Sequence, residues 1–205
     1  MTEKQRPSTI QNRKSIRLPG YDYSRPGAYF VSICTKDRRC LFGDIANQKM
    51  VLNDAGTMVD KWYGEFENKF QDIRCTEHII MPNHCHTLIT NTGKTPVGAD
   101  LCVCPNGRRV GRTSGEHTGS PLHRIIQWFK TMTTNEYIRG VKQQGWEPFH
   151  DKLWQRNYYE HIVRNEKEFS RIREYIRNNP TNWNTDRDNP SAYAFDRYCS
   201  DCYMN

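Results

Sequence analysis

No apolar run in the chain approaches the roughly 18 residues needed to cross a bilayer, and no apolar leader core follows the start. The expectation is a protein with no membrane partner, cytoplasmic or nucleoid-associated. Internal repeats are also missing, which sets aside solenoids and propellers. Eight cysteines occur but form just one C-x-x-C, Cys199 with Cys202, without the matching pair that a zinc ribbon requires. The thiols therefore read as reduced and structurally incidental. Apolar residues make up only 36% of the 205, enough for one domain with a modest core.

Acidic residues are outnumbered, 23 against 30 Lys and Arg, for a net charge of +7. Aromatic residues are plentiful at 12%, with five Trp and eleven Tyr, too many for a disordered chain. Such rings fill cores or stack on nucleobases. A basic, aromatic-rich domain points to a nucleic-acid partner, with a merely soluble basic protein as the plainer alternative.

Residues 1–27 read as a basic arm, with six Lys and Arg that include Lys14 and Arg17, closed by Arg25-Pro26-Gly27. Residues 28–34 are aromatic and β-branched, a strand. Residues 53–70 read as a helix capped by Asn53, with Met58, Trp62, Tyr63 and Phe66 at helical spacing. Two strands follow, 75–81 and 84–90, joined at Pro82-Asn83. Residues 91–120 hold six glycines and two prolines and read as an inserted loop. A helix starts at Pro121, with Leu122, Ile125, Ile126 and Phe129 on one stripe, and Gly140 is expected to end it. Residues 153–163 read as a strand. Asn165 to Glu168 resembles a capping box opening a helix that Pro180 stops. Residues 184–205 form an irregular tail. This order predicts an α+β fold, a largely antiparallel sheet with helices packed on it.

In a strand His84 and His86 share a face, opposite Cys85 and Thr87. Two imidazoles side by side can grip a divalent cation, and imidazole also suits zinc, copper or iron. On the last helix Tyr175 and Asn179 lie one turn apart on one face. Each has an ordinary alternative: Tyr175 as a core ring beside Phe169, Ile172 and Ile176, and Asn179 as a helix terminator. Arg124, Lys130 and Arg139 read as solvated-face charges or as DNA contacts. Trp154, Tyr158 and Tyr159 read as packing or as base platforms.

Four stretches, in this order and spacing, carry a family likeness. They are Tyr29-Phe30-Val31-Ser32-Ile33-Cys34-Thr35, Met81-Pro82-Asn83-His84-Cys85-His86, residues 153–164, and the helix to Asn179-Pro180. Over residues 28–183 the chain resembles the REP-associated tyrosine transposases, within the HUH single-tyrosine transposase superfamily. The resemblance implies a ferredoxin-like sheet with the histidine pair on a central strand. It implies Tyr175 as nucleophile, with Tyr158 and Tyr159 as rivals, and His84, His86 and Asn179 as ligands to Mg2+ or Mn2+. It also implies cleavage and strand transfer on single-stranded or hairpin DNA of repetitive palindromes, through a 5′-phosphotyrosine. Lys14, Arg17 and Lys130 are the candidate DNA contacts, and the protein would be a monomer or homodimer. Two other readings stand beside this one. The first is a domesticated hairpin-DNA-binding protein that no longer cuts. The second is a metal hydrolase or zinc-stabilised RNA binder using Cys102, Cys104 and the histidines.

Overall fold

The aromatic and β-branched segment forms β1 (Gly27–Cys34), and everything that matters for the site is arranged about it. The computed structural model describes Leu18 and residues 21–23, 25–93 and 121–192. Lys14, Arg17, nearly all of the 91–120 loop with Cys102 and Cys104, and the Cys199–Cys202 motif lie outside the described residues. After β1 come the hairpin β2 (Gly43–Ala46) and β3 (Lys49–Leu52), α1 (Asp54–Gly64) and the single turn α2 (Phe66–Lys69). Then follow β4 (Ile73–Ile80), β5 (His84–Asn91), α3 (Pro121–Gln144), β6 (Tyr159–Val163) and α4 (Glu166–Asn178).

Among the described residues, β4, β5, β1 and β6 form one sheet in that spatial order, each neighbour antiparallel to the next. With the β2–β3 hairpin and α4 set aside, the chain runs β-α-β-β-α-β with its first and third strands central. That is the expected ferredoxin-like arrangement. Tyr29, Val31, Ile33, Cys85 and Ile89 face α1 and α3, packing with Met58, Val59, Ile125, Ile126 and Phe129. On the other face Phe30 and Leu88 meet Ile172 and Ile176 of α4. Period-two alternation in the strands and period-3.6 in the helices thus sort the chain into two layers around the sheet. Burying four such side chains contributes on the order of 1.5–3 kcal/mol each, which is what holds α4 in place.

The caps behave largely as their residue types require. Asn53 accepts from the Gly56 amide at 2.8 Å and Asn165 from the Glu168 amide at 2.9 Å. Glu168 does not complete a capping box; its carboxylate takes the Arg164 amide and His161 Nε2, both at 2.8 Å, and so ties β6 to α4. Gly140 does not end α3, which continues to Gln144 and stops before Gly145 at φ +72°. Gly140 is there because the Trp146 ring lies on it: a Cβ would come within 2.2 Å of Trp146 Cε3. Of the expected strand 153–163, the ladder to β1 takes only the last part; Trp154 makes an isolated bridge to Thr35. No described helix is long and apolar enough to cross a membrane.

Candidate active site

His84 and His86 open β5 on the α4 face, 0% and 4% exposed, their rings 4.5 Å apart. The turn before them sets their chemistry. Asn83 is fully buried, and its Nδ2 donates to the backbone carbonyls of Arg38 at 2.9 Å and Asp188 at 2.7 Å. Two carbonyl partners fix which end of the amide is nitrogen, so Oδ1 is the atom 2.8 Å from His84 Nδ1. His84 must therefore carry its proton on Nδ1, leaving Nε2 with a lone pair. That Nε2 is buried without a hydrogen-bond partner, as are His86 Nδ1 and Asn179 Oδ1.

Helix α4 brings the second half of the site. Ile172 and Ile176 seat it on the sheet, and Tyr175, one step around the stripe, stays 45% exposed at the edge. The Tyr175 hydroxyl lies 3.3 Å from His86 Nε2, and its ring stands edge-on to Phe30 at 5.9 Å. Asn179, 1% exposed, ends the helix just before Pro180. The position of α4 is pinned from β4. A bulge between Cys75 and Glu77 turns Glu77 from the Cys75 side of the sheet to the α4 side. There its Oε2 meets Arg177 Nε at 2.8 Å and Arg173 Nε at 3.5 Å, two arginines that straddle Tyr175.

Residues 183–192 close the site from above. Trp183 lies 6.0 Å from the His84 ring, Asn189 donates to the Trp183 carbonyl at 2.9 Å, and Asp188 pairs with Arg38 at 3.2 Å. This turn delivers Asp186. His84, His86 and Asp186 each present a donor atom within 4.8 Å of the others. Two imidazoles, a carboxylate and an amide oxygen fit a divalent cation by donor type, and three of their atoms (His84 Nε2, His86 Nδ1 and Asn179 Oδ1) have no hydrogen-bond partner. Burial pushes both imidazoles down, His86 well below the usual range with His84 as its second cause, while Asp186 and Asp188 draw His84 partly back. Neutral imidazoles are the metal-binding form. Burial also pushes the Tyr175 phenol up, Asp186 adding to the effect and the Asn179 side chain opposing it. Without a compensating positive charge the phenolate is disfavoured here.

The structure brings Tyr175, His84, His86 and Asn179 together. Lys130 it places elsewhere: on α3, across the sheet, its Nζ donates to the carbonyls of Gln155 at 2.8 Å, Arg156 at 3.5 Å and Asn157 at 3.2 Å. Burial pushes that ammonium down to about 8. Its donors secure the 155–157 loop. Trp154 is buried and donates to Thr133 Oγ1, and Tyr158 lies under Lys130, so both rings pack as the plainer reading had it. Tyr159 instead projects, half exposed, on the histidine face. The described cysteines, Cys34, Cys40, Cys75 and Cys85, are free thiols. Asp186 was not among the residues singled out in the sequence; an isolated Asp in an aperiodic segment carries no local signal.

No family model matches the chain. A solved structure similar to it is that of a REP-associated tyrosine transposase bound to a REP hairpin, with a TM-score of 0.46 and 15% identity, covering 76% of this chain and 67% of that one. A protein of Haemophilus influenzae, described as uncharacterized, is 38% identical over 178 residues, 87% of this chain and 93% of the relative. At that identity and coverage, the chain belongs to one family with the Haemophilus influenzae protein.

Proposed function

We propose that the protein is a metal-dependent nuclease and strand transferase acting on single-stranded DNA at hairpins of repetitive palindromes. One observation carries the reading: the Tyr175 hydroxyl sits 3.3 Å from His86 Nε2, beside a cluster of buried donors without partners. A catalytic tyrosine next to an electron-rich pocket is the arrangement a phosphodiester transfer needs.

In this reading the Tyr175 oxygen gives up its proton and attacks the scissile phosphorus, the bond to the 3′ oxygen breaks, and that oxygen takes up a proton and leaves as a 3′-hydroxyl. The protein is left joined to the 5′ phosphate, and attack by another 3′-hydroxyl reverses the step without ATP. His86 orients the phenol oxygen toward the pocket. Asn83 holds His84 in the tautomer whose Nε2 faces it. Glu77, through Arg173 and Arg177, holds α4 in register with the histidines. His84, His86, Asn179 and Asp186 would hold Mg2+ or Mn2+, which supplies positive charge to offset that of the phosphate and of the phenolate.

The test is formation of a covalent adduct with end-labelled hairpin oligonucleotides that carry single-stranded flanks, resolved on a denaturing gel. The adduct is expected with Mg2+ or Mn2+, and it should be lost in EDTA and in Tyr175→Phe. Binding without any adduct under these conditions would instead mark a hairpin-binding protein that does not cut, and an adduct persisting in Tyr175→Phe would move the nucleophile to Tyr159.

A further inference from the structure

We propose that Tyr159 is the platform on which an unpaired nucleobase stacks beside the cutting site; this rests on the single-stranded DNA reading above. The sheet register sets out the geometry. Ile79 pairs with His86, His86 with Ser32, and Ser32 with Tyr159, one row across β4, β5, β1 and β6. Strands lie about 4.8 Å apart, so Tyr159 stands about 10 Å from His86 along the row. Between them on the row lies Ser32, a small side chain that is 6% exposed.

Phe30, one pleat along β1, touches both tyrosines. Its ring is 6.1 Å from Tyr159 at 66° and 5.9 Å from Tyr175 at 82°, both edge-to-face. The three rings form a continuous aromatic shelf that ends at the histidines. Tyr159 remains 50% exposed although it lies on the same face as the site, because β6 is the last strand of the sheet. Arg187, exposed, is close enough to act electrostatically on His84, His86 and Tyr175. An open ring on the histidine face suits a flat base, and Arg187 on the histidine side supplies positive charge for a phosphate. Stacking of this kind is tolerant of base identity, since every base has a π-face.

The experiment measures equilibrium binding in a Tyr175→Phe background, so that cutting does not intervene. The probes are an end-labelled stem with a single-stranded flank and the same DNA with an abasic flank. Tyr159→Ala should weaken binding to the flank with bases by about five-fold or more and leave binding to the abasic flank unchanged. Tyr159→Phe, which keeps the ring, should bind both as the parent does, and circular dichroism checks that Tyr159→Ala is folded. Equal losses on both DNAs, no loss on either, or a parent protein indifferent to the missing bases would each overturn the inference. Adduct formation by Tyr175 with no effect of Tyr159→Ala sinks the platform and spares the nuclease. A base-dependent loss in a protein that forms no adduct does the reverse.

Discussion

Replacing Asn83 with alanine tests whether one buried amide organises the site. The side chain is fully buried and makes three hydrogen bonds: to the Arg38 carbonyl, to the Asp188 carbonyl and with His84 Nδ1. Its removal leaves the Asp188 carbonyl and the His84 N–H unpartnered in buried surroundings, at about 1–3 kcal/mol each, with about 1 kcal/mol more for the Arg38 carbonyl. The expected loss is about 3–7 kcal/mol, a fall in Tm of about 6 °C or more for a chain of this size. Metal affinity should drop about 10–100-fold, because His84 is no longer held in one tautomer. Asn83→Asp separates the two effects. It keeps an acceptor facing His84 and removes the donors, so it should recover much of the metal affinity while remaining destabilised. Thermal denaturation and titration calorimetry with Mn2+ read the two quantities. A Tm within about 2 °C of the parent's and an unchanged Mn2+ affinity in Asn83→Ala would refute the reasoning.

Glu77→Ala should cost about 1–3 kcal/mol in urea unfolding through the loss of charged hydrogen bonds, and should slow adduct formation with DNA affinity kept; an unchanged adduct rate would deny Glu77 its hold on α4. In EDTA, stability should fall as pH drops below about 6.5, the unfolded-state value, because the buried His84 and His86 resist the protons that the unfolded chain takes up. The loss extends down to their lowered folded values, at up to about 1.4 kcal/mol per pH unit per imidazole, and is absent above the window. His86→Gln should flatten the slope, which unfolding curves across pH 5–8 would show. Lys130→Met should lower stability by about 1 kcal/mol, since the part-buried Gln155 carbonyl loses its donor while the Arg156 and Asn157 carbonyls turn to water, and leave the salt dependence of DNA binding unaltered; a slope reduced by about 0.7 would make Lys130 a phosphate contact.

What could be read in advance was local. His84 and His86 announce a shared face at a spacing of two, and Ile172, Tyr175, Ile176 and Asn179 announce a helix at spacings of three and four. The β2–β3 hairpin escaped notice because its turn is Asn47-Gln48, both at positive φ (50° and 60°). The usual marker there is a glycine, and Gln is an uncommon occupant of that conformation. Gly140 misled for the complementary reason: it sits where Trp146 packs, a contact no helical pattern reports. Lys130 reads as a surface charge until the 155–157 loop is folded over it. Asp186 belongs to the site by tertiary placement alone, through the bonds that Asn83 and Arg38 make to Asp188.

The histidines and the tyrosine differ in how firmly the rest of the molecule grips them. β5 is an inner strand, bonded to β4 on one side and β1 on the other, so its amides should exchange with deuterium only when the whole domain unfolds. Helix α4 follows the last strand of the ferredoxin-like frame and is held by the Phe30, Leu88, Ile172 and Ile176 contacts and the Glu77 clamp. Its amides should exchange through a smaller, separate opening. The histidine face is thus expected to stay in place, while Tyr175 rides on a part that should lift away and return without dismantling it.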